Sequence, residues 1–402
     1  MRVGSPLKIS LASTDEEYSQ TFVRDHINRL PGEVFPVLGG WPDWRHKGQF
    51  ILPKRYRLGL RFSKRWPSWV AERIRKAAEN HLASFIQRTD VTLAEFGPVG
   101  VSLLRPCQIA KVPLVVHFHG FDVYDHRVLD QYQKDYQELF RSAAAFVVVS
   151  KAMSEQVARL GAPREKIHVN SCGVDVLRFD AADAGSNPPH FLAIGRFVEK
   201  KAQFLAILAF ERAFRQCPDI RLSLVGDGPL LDCCKQIVRA LRLENAVEFL
   251  GVVSHNRVPA LMRRCRGFVQ HSVTAPSGDS EGNPVAVMEA GAAALPVVST
   301  KHAGIPDTVA HGETGLLSEE ADIDSMANHM VLLARDTNLA SELGKQARVR
   351  IQNFFSMERS IQGLYGVLET AVKGEDLATH PQASEIKSWK PNSEQYGHLA
   401  ER

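Results

Sequence analysis

Short apolar runs alternate with helix-forming segments along most of this chain, and the alternation limits the folds that it can adopt. In the first half, strands are predicted at 7–12, 34–38, 91–94, 113–118, 145–150 and 167–170, with helices between several of them, such as 69–87 and 151–160. Continuously apolar strands separated by helices are typical of a parallel sheet that is covered on both faces. The first half therefore predicts a doubly wound α/β domain.

The second half repeats this alternation after a polar stretch at 180–189. Strands are predicted at 190–194, 221–225, 247–250, 268–271, 297–299 and 315–317; helices are predicted near 203–216, 230–241, 254–265 and 284–294, and then from 322 to 373. We expect the polar stretch to join two Rossmann-like domains, 1–180 and 190–355, which face a central cleft. The polar residues 374–402 are expected to form a disordered tail.

A pair of glutamates lies where a predicted strand is followed by a predicted helix. Glu281 follows a polar loop, and Glu289 lies within the helix-forming run. Backbone N–H groups at the start of a helix bind anions, and residues eight apart on a helix share a face. Because carboxylates repel phosphate, we interpret both glutamates as acceptors for sugar hydroxyls on either side of a bound phosphate. Two surface glutamates on an ordinary amphipathic helix are the alternative.

Two cations follow the first predicted strand of the second domain. Arg196 comes directly after Gly195, and Lys201 follows with Lys200 as a neighbouring rival. Arginine can bind two phosphate oxygens at once, whereas lysine acts as a point charge. The segment therefore predicts a diphosphate site formed by Arg196 and Lys201, with a solvated charged loop as the alternative.

Two histidines occur at the end of the predicted strand 113–118. His117 and His119 are separated by one residue, so they point to the same face of the strand, and Asp122 and Asp125 follow. The histidines could bind a metal together with Asp122 or Asp125. A contact to a sugar and a simple hydrogen-bonded histidine at a strand end are the other interpretations of His119.

Together, these motifs resemble those of the retaining glycosyltransferases of family 4, which have the GT-B architecture. The resemblance implies that Glu281 and His119 contact the transferred sugar, that Glu289 holds the ribose, and that Arg196 and Lys201 grip the diphosphate. It also implies that backbone groups approach the diphosphate along the segment Gly282, Asn283, Pro284 and Val285. Pro284 has no N–H group, so the donors must be its neighbours.

The resemblance carries further expectations about the whole molecule. It implies a nucleotide-sugar bound mainly by the second domain, an acceptor on the first, and a helix at 356–373 that crosses back to the first domain. No metal and no cofactor is required, because the cations neutralise the diphosphate. The segment from Glu95 to Pro98 and the residues after Glu281 are most similar to enzymes of bacterial exopolysaccharide or lipopolysaccharide assembly, such as those of colanic-acid-like polymers. The expected acceptor is a saccharide, which can be lipid-linked.

Other function classes are weighed against this interpretation. A dehydrogenase is not favoured, because the turn containing Gly226 and Gly228 lacks the third glycine of a dinucleotide fingerprint. We expect these two glycines to serve the backbone of a tight turn. A sugar-nucleotide epimerase with the same two-domain shape and a non-catalytic nucleotide-sugar-binding protein remain as alternatives.

A basic segment at 45–76 is the main asymmetry of charge. It holds eleven arginines and lysines against the single acidic residue Glu72, in a chain with a net charge of only +4. The tryptophans Trp41, Trp44, Trp66 and Trp69 lie within or beside it. We interpret the segment as a docking surface for an anionic membrane. A nucleic acid is not expected as a partner, since no binding motif accompanies the charge, and a solvated face is the alternative.

The apolar runs and the cysteines indicate the cellular compartment of the protein. No run of eighteen apolar residues occurs, so no transmembrane helix is expected. The six cysteines show no C-x-x-C pairing and are interpreted as reduced thiols. We therefore expect a cytoplasmic protein that is peripheral on the inner face of the plasma membrane.

Overall fold

The computed structural model describes residues 6–14 and 21–374, which form two compact units. The first unit contains the described residues up to Val149, then Met153–Asn170, and the residues from Ile361 onward. The second contains Ser150–Ala152 and Ser171–Ser360. Each unit has its own mainly parallel sheet with helices between the strands, so the predicted fold class of two Rossmann-like α/β domains is confirmed. Apart from Gly374, the predicted tail lies outside the described residues.

The first unit is built on an eight-stranded sheet in the order β4-β3-β2-β1-β5-β6-β7-β8. Its strands are β1 (Lys8–Thr14), β2 (Glu33–Gly39), β3 (Arg45–His46), β4 (Gln49–Phe50), β5 (Val91–Glu95), β6 (Leu114–Phe118), β7 (Ala145–Val148) and β8 (Ile167–Val169). Its helices are α1 (Thr21–Arg29), α2 (Lys54–Arg61), α3 (Ser68–Ile86), α4 (Gly97–Ala110), α5 (Phe121–Tyr124), α6 (His126–Ser142) and α7 (Lys151–Arg159), the last of which begins in residues of the second unit.

The core of this sheet follows from the apolar runs in the sequence. Every residue of β5, β6 and β7 is buried, as expected for parallel strands that are covered on both faces. In contrast, β3 and β4 form a short antiparallel extension that the sequence did not predict. Each has only two residues, which is too short for a periodic pattern to be recognised.

The second unit is built on a six-stranded sheet in the order β11-β10-β9-β12-β13-β14. Its strands are β9 (His190–Ile194), β10 (Arg221–Val225), β11 (Val247–Gly251), β12 (Gly267–Gln270), β13 (Val297–Thr300) and β14 (Gly315–Ser318), and all pairs are parallel. Counted within the unit, the order is 3-2-1-4-5-6, that of dinucleotide-binding folds. The strand order reverses between β9 and β12, and ligands of such sheets bind at the carboxyl ends of the strands beside this reversal.

The helices that cover this sheet are α8 (Gln203–Gln216), α9 (Leu231–Ala240), α10 (Val258–Met262), α11 (Val285–Ala292), α12 (Ile305–Thr308), α13 (Ile323–Arg335) and α14 (Thr337–Phe354), followed by α15 (Met357–Lys373). The helix predicted at 254–265 is shorter than expected. A 3-10 turn, His255–Arg257, comes first, and Pro259 lies in the first turn of α10. The long helical run from 322 is divided where the side chain of Asp336 caps α14.

The division between the units falls at a different place from the predicted linker. Residues 171–189 were expected to end the first domain and to lead into the second, but they group with the second unit. The N–H of Val174 donates to the carbonyl oxygen of Phe355 at 2.9 Å, and the Asn187 amide donates to the carbonyl oxygens of Arg263 and Cys265. These bonds tie the stretch to residues of the second unit, with which it is grouped in the structure.

The last helix, α15, begins in the second unit and continues in the first from Ile361. The Tyr365 hydroxyl accepts a hydrogen bond from the N–H of Leu7 at 3.3 Å. Within the described ranges 6–14 and 21–374, no helix is long and apolar enough to cross a membrane.

Candidate functional site

The predicted diphosphate loop begins where β9 ends, beside the reversal of strand order in the second unit. Gly195 and Arg196 follow β9 directly, and Gln203 at the start of α8 donates its side-chain N–H to the carbonyl oxygens of both, at 3.1 and 2.8 Å. The Arg196 side chain is exposed, and no ion pair joins it to another residue of the described chain. Its backbone is therefore held firmly while its guanidinium remains available to an anion.

Two glycines in the turn between β10 and α9 allow this turn to pack against the Arg196 loop. Gly226 has a φ of +135° and Gly228 a φ of +153°, values that L side chains rarely adopt. A Cβ atom on Gly226 would lie 2.0 Å from the carbonyl oxygen of Gly195, and one on Gly228 would lie 2.6 Å from that of Phe197. The glycines thus allow close backbone packing behind Arg196, in agreement with their predicted role in the backbone.

Lys201 and Glu281 form an ion pair with an Nζ–Oε1 distance of 2.9 Å. Their side chains are 15% and 8% exposed, so the pair lies largely out of solvent. Burial by itself raises the pKa of Glu281, but Lys201 and Lys200 outweigh it, and the pKa lies below its ordinary value. Glu281 is therefore an ionised carboxylate whose position is set by Lys201.

Lys200, the rival of Lys201 in the sequence, has a different partner. Its Nζ lies 2.9 Å from Asp279 Oδ1 and donates to the carbonyl oxygen of Ser280 at 3.2 Å. It therefore anchors the polar loop that precedes Glu281. Lys201 is the lysine that reaches Glu281, and its choice over Lys200 as a diphosphate ligand stays a prediction.

Glu281 and Glu289 do not lie on one helix. Helix α11 begins at Val285, with Pro284 as its N-cap residue, so Glu281 lies in the preceding loop and the helical-face argument is wrong for it. Neither glutamate is a surface residue of an amphipathic helix: counted over the whole residue, Glu281 is 6% exposed and Glu289 is 7% exposed. The carboxylate of Glu289 lies near His255, with an Nε2–Oε1 distance of 3.6 Å.

The residues between the glutamates fix the start of α11. The Asn283 side chain donates to Ser171 Oγ and accepts from Thr308 Oγ1, both at 2.9 Å. Its polar atoms therefore brace the loop, and what it can offer a ligand is its backbone. Val285 begins the helix and is only partly buried, and the first N–H groups of a helix have no partner within it. Gly282 completes this buried segment.

One supporting residue of this site belongs to none of the sequence motifs. His302, two residues after β13, accepts the N–H of Glu281 through Nε2 at 3.1 Å, while its Nδ1 lies 2.6 Å from Glu320 Oε1. It orients the backbone at Glu281 from the neighbouring strand. Its position at a carboxyl strand end was the only signal available in the sequence.

The predicted sugar-contacting histidine lies in the first unit. His119 Nε2 is 2.7 Å from Glu95 Oε2, and the ring stacks on Phe22 with a centroid distance of 4.0 Å. Burial, together with His117, lowers the pKa of His119 to about 3, so the ring is neutral. This is the geometry of a hydrogen-bonded histidine at a strand end, and the role of His119 as a sugar contact stays a prediction.

The metal set suggested by the sequence does not assemble. Asp122 accepts hydrogen bonds from the N–H groups of Gly97, His119 and Gly120, which shapes the turn after β6. Asp125 caps α6 and binds Arg127. Both carboxylates are therefore engaged away from the histidine rings.

Comparison with known proteins gives consistent matches to both halves of the chain. Residues 178–350 match the family described as "Glycosyl transferases group 1", and residues 25–178 match "Glycosyltransferase Family 4". The chain is 34% identical over 276 residues to a protein of Escherichia coli named as colanic acid biosynthesis glycosyltransferase WcaL, covering 67% of this chain and 68% of that protein. It is 30% identical over 284 residues to the amylovoran biosynthesis glycosyltransferase AmsK of Erwinia amylovora, with 70% of each covered.

Solved structures give the fold. The Anabaena protein HepE in complex with UDP-glucose aligns with a TM-score of 0.70 and 21% identity, covering 90% of this chain and all of that one. The sucrose-phosphate synthase of Thermosynechococcus elongatus aligns with a TM-score of 0.71 and 17% identity, covering 92% of this chain and 100% of that chain. The GT-B fold expected from the motifs is thereby confirmed.

Proposed function

Because the chain belongs to glycosyltransferase family 4, we propose that it transfers a sugar from a nucleoside-diphosphate sugar to a saccharide acceptor in the synthesis of a cell-surface polysaccharide. The relatives named for colanic acid and amylovoran biosynthesis support the exopolysaccharide context. HepE, which shares the fold, was crystallised in complex with UDP-glucose, and this supports a nucleotide-sugar as the donor.

The observation that carries this proposal is the buried Lys201–Glu281 pair next to the exposed Arg196 loop. An ionised carboxylate is an acceptor only, so Glu281 can hold two sugar hydroxyls while Lys201 keeps it in place. Arg196 and the first N–H groups of α11 offer positive charge to a diphosphate. Glu289, buried at 7% exposure, is assigned to the ribose hydroxyls.

In the proposed reaction, cationic groups lie where negative charge develops on the leaving diphosphate. As the sugar leaves, negative charge grows on the diphosphate, and Arg196, Lys201 and the start of α11 stabilise it. Glu281 holds the oxocarbenium-like sugar by its hydroxyls. The acceptor hydroxyl bonds to the anomeric carbon on the face from which the diphosphate leaves, and its proton passes to the leaving phosphate. The ion pair with Lys201 makes Glu281 a poor nucleophile, so no glycosyl–enzyme on Glu281 is proposed, and retention is expected from the family resemblance. Because these groups of the chain supply positive charge, the proposed reaction needs no metal ion or cofactor.

A donor screen followed by one variant tests this proposal. We expect one class among UDP-, GDP- and ADP-sugars to raise the thermal unfolding temperature, because a ligand that binds only the folded state stabilises it. With that donor, Glu281→Ala should lose at least ~100-fold in turnover, as expected when a group that acts mainly in the transition state is removed. Glu244→Ala is the matched control, since Glu244 is exposed in the turn before β11.

The outcomes separate the alternatives. Near-normal turnover of Glu281→Ala at saturating donor contradicts its role. Consumption of the donor without any acceptor indicates an epimerase, and donor binding without consumption indicates a binding protein. The anomeric configuration of the product, read from proton NMR coupling constants, tests retention.

A second proposal concerns membrane docking through part of the basic segment, and it rests on side-chain exposure. The docking surface consists of α2, the 3-10 turn Ser63–Arg65 and the start of α3 up to Trp69. Trp69 is 68% exposed, Trp66 50% and Phe62 48%, whereas Trp44 is fully buried and belongs to the core. An exposed aromatic group surrounded by cations is suited to the interface of an anionic membrane.

Charge supports the same surface. Lys54, Lys64 and Arg65 are exposed on it and form no ion pair with a described residue. In contrast, Arg57 and Arg61 bind Asp43, so part of the basic charge is neutralised within the chain. The surface proposed for docking is therefore narrower than the predicted 45–76 segment, and docking would bring the protein to the membrane in which a lipid-linked acceptor resides.

Vesicle flotation tests the docking proposal independently of the transfer reaction. The protein should float with vesicles that contain phosphatidylserine and not with vesicles of phosphatidylcholine alone. A Trp66→Ala/Trp69→Ala variant should lose most of this binding, whereas Leu177→Ala, which removes a 91% exposed leucine in the second unit, should not. Equal binding to both vesicles, or binding to neither, contradicts docking.

A further inference from the structure

A buried carboxylate in the first unit is surrounded by histidine rings. Glu95 ends β5 and is completely buried. Its Oε1 lies 2.7 Å from His26 Nδ1, and its Oε2 lies 2.7 Å from His119 Nε2 and 3.3 Å from His117 Nδ1. The cluster therefore brings together α1, β5 and the end of β6.

The cluster occupies the place where a sheet of this kind binds ligands. The strand order of the first unit reverses between β1 and β5, and Glu95 is the last residue of β5. The carboxyl ends of strands beside such a reversal form a crevice for ligands. The donor site described above lies in the second unit, so it does not account for this cluster.

The cluster is closed to solvent. Glu95 and His117 are fully buried, and the side chain of His26 is 2% exposed. A carboxylate in such a place is costly unless it is paired or coordinates a metal.

His117 provides a second, independent observation. Its side chain is fully buried, and neither ring nitrogen has a hydrogen bond of acceptable geometry to a described residue. Buried polar groups in proteins are nearly always hydrogen-bonded, so an imidazole of this kind calls for another partner. Its Nδ1 lies 3.3 Å from Glu95 Oε2.

We propose that His26, Glu95 and His117 bind a divalent transition-metal ion of the Zn²⁺ class. The ligand atoms of the three residues all lie within 4.8 Å of one another. Ligands about 2.0–2.1 Å from a tetrahedral Zn²⁺ are separated by roughly 3.3 Å, and the His117–Glu95 distance matches this value. The His26–Glu95 contact of 2.7 Å is a hydrogen bond, which must lengthen when a metal replaces its proton. Two imidazoles and one carboxylate form a known donor set for Zn²⁺ and leave one position open.

His119 has a supporting position in this site. Its hydrogen bond to Oε2 of Glu95 orients the carboxylate, as residues behind a metal ligand commonly do. The metal thereby joins α1 to β5 and β6, and its occupancy determines how Glu95 holds His119. This inference concerns the first unit and does not depend on the proposed sugar transfer.

Metal binding is measured on the full chain without a polyhistidine tag. After the protein is stripped with a chelator and reconstituted with Co²⁺, we expect about one ion per chain by mass spectrometry, with a visible absorption band of tetrahedral or five-coordinate Co²⁺. X-ray absorption of the Zn²⁺ form should show imidazole nitrogens and a carboxylate oxygen. Neither measurement requires activity.

Two variants and one control test the ligands. Glu95→Gln and His26→Gln should weaken metal binding at least ~10-fold, whereas His81→Gln removes an exposed histidine from the same unit and should bind as the wild type. Donor-induced thermal stabilisation should persist in Glu95→Gln, which separates this inference from the proposed function. The inference is overturned if the wild type binds no Co²⁺, if the absorption edge shows no histidine ligand, or if Glu95→Gln binds as tightly as the wild type.

Discussion

The close packing of the Gly226 turn against the Arg196 loop should make Gly226→Ala strongly destabilising. Replacing Gly226 by alanine places a Cβ atom 2.0 Å from the carbonyl oxygen of Gly195, at a φ of +135°. The strained backbone costs on the order of 1–3 kcal/mol. Relief of the overlap requires a shift of backbone atoms and costs a further ~1–3 kcal/mol, as in an overpacked core. We therefore expect local destabilisation of about 4 kcal/mol.

The same change should weaken donor binding. Gly195 directly precedes Arg196, and the N–H of Gly195 donates to the carbonyl oxygen of Val225 at 3.0 Å. A shift that relieves the overlap must therefore move the backbone that positions the guanidinium. A change of 1.4 kcal/mol corresponds to about tenfold in affinity, and we expect a loss of at least that size.

Hydrogen–deuterium exchange of peptides from β9 and β10 is the suitable assay, because two units need not unfold together and a single melting temperature can mix them. Gly312→Ala is the matched control: Gly312 has a φ of +79°, and a Cβ atom there meets nothing within 4 Å. Gly312→Ala should lower the free energy of unfolding by only about 1–2 kcal/mol, because an alanine is strained at this positive φ. If Gly226→Ala costs no more than Gly312→Ala, the close packing of the two turns is not a constraint and the reasoning is refuted.

Three further predictions concern the Glu281 loop. Lys201→Met should destabilise the second unit by about 3 kcal/mol in urea unfolding, because it leaves a buried carboxylate without its partner. The control Lys235→Met removes an exposed ion pair and should cost less than about 1 kcal/mol in the same assay. The pKa of Glu281 is lowered on folding, so the stability that its carboxylate contributes is present above the ordinary pKa of 4.5 and is lost as the pH falls through the folded-state pKa. Glu281→Gln should therefore make the loss of stability below pH 4.5 shallower. An unchanged pH profile contradicts the ion pair. Asn283→Ala removes the hydrogen bonds to Ser171 and Thr308 and should cost ~2 kcal/mol, measured by exchange of peptides from α11.

The sequence predicted the sheets well because both are made of continuously apolar strands. The strands at 190–194 and 221–225 coincide with β9 and β10, and the motifs lie at the carboxyl strand ends as expected. Prediction failed where the pattern was short or charged, as in β3, β4 and α2. The strands β3 and β4 are too short to show a period, and α2 carries four cations among its eight residues.

The contacts between side chains within the sites were less predictable from the sequence than the motifs themselves. Spacing favoured Lys201 over Lys200, but only the structure shows that one reaches Glu281 and the other Asp279. The His26–Glu95 contact joins residues from α1 and β5, which are adjacent only because β1 and β5 are neighbours in the sheet. No local pattern encodes such a contact, since it depends on the strand order.

The central claim is that a nucleoside diphosphate binds at the carboxyl ends of β9 and β12 with Arg196 on its phosphates. Calorimetric titration of UDP, GDP and ADP into the wild type, Arg196→Met and Arg239→Met tests this claim most directly; Arg239 is an exposed arginine in the last turn of α9. A charge-assisted hydrogen bond contributes about 1.5–3 kcal/mol, so Arg196→Met should weaken the nucleotide that binds by roughly 10-fold to 100-fold, while Arg239→Met leaves it unchanged. Equal affinity in the wild type and Arg196→Met, or no binding of any of the three nucleotides, contradicts the account.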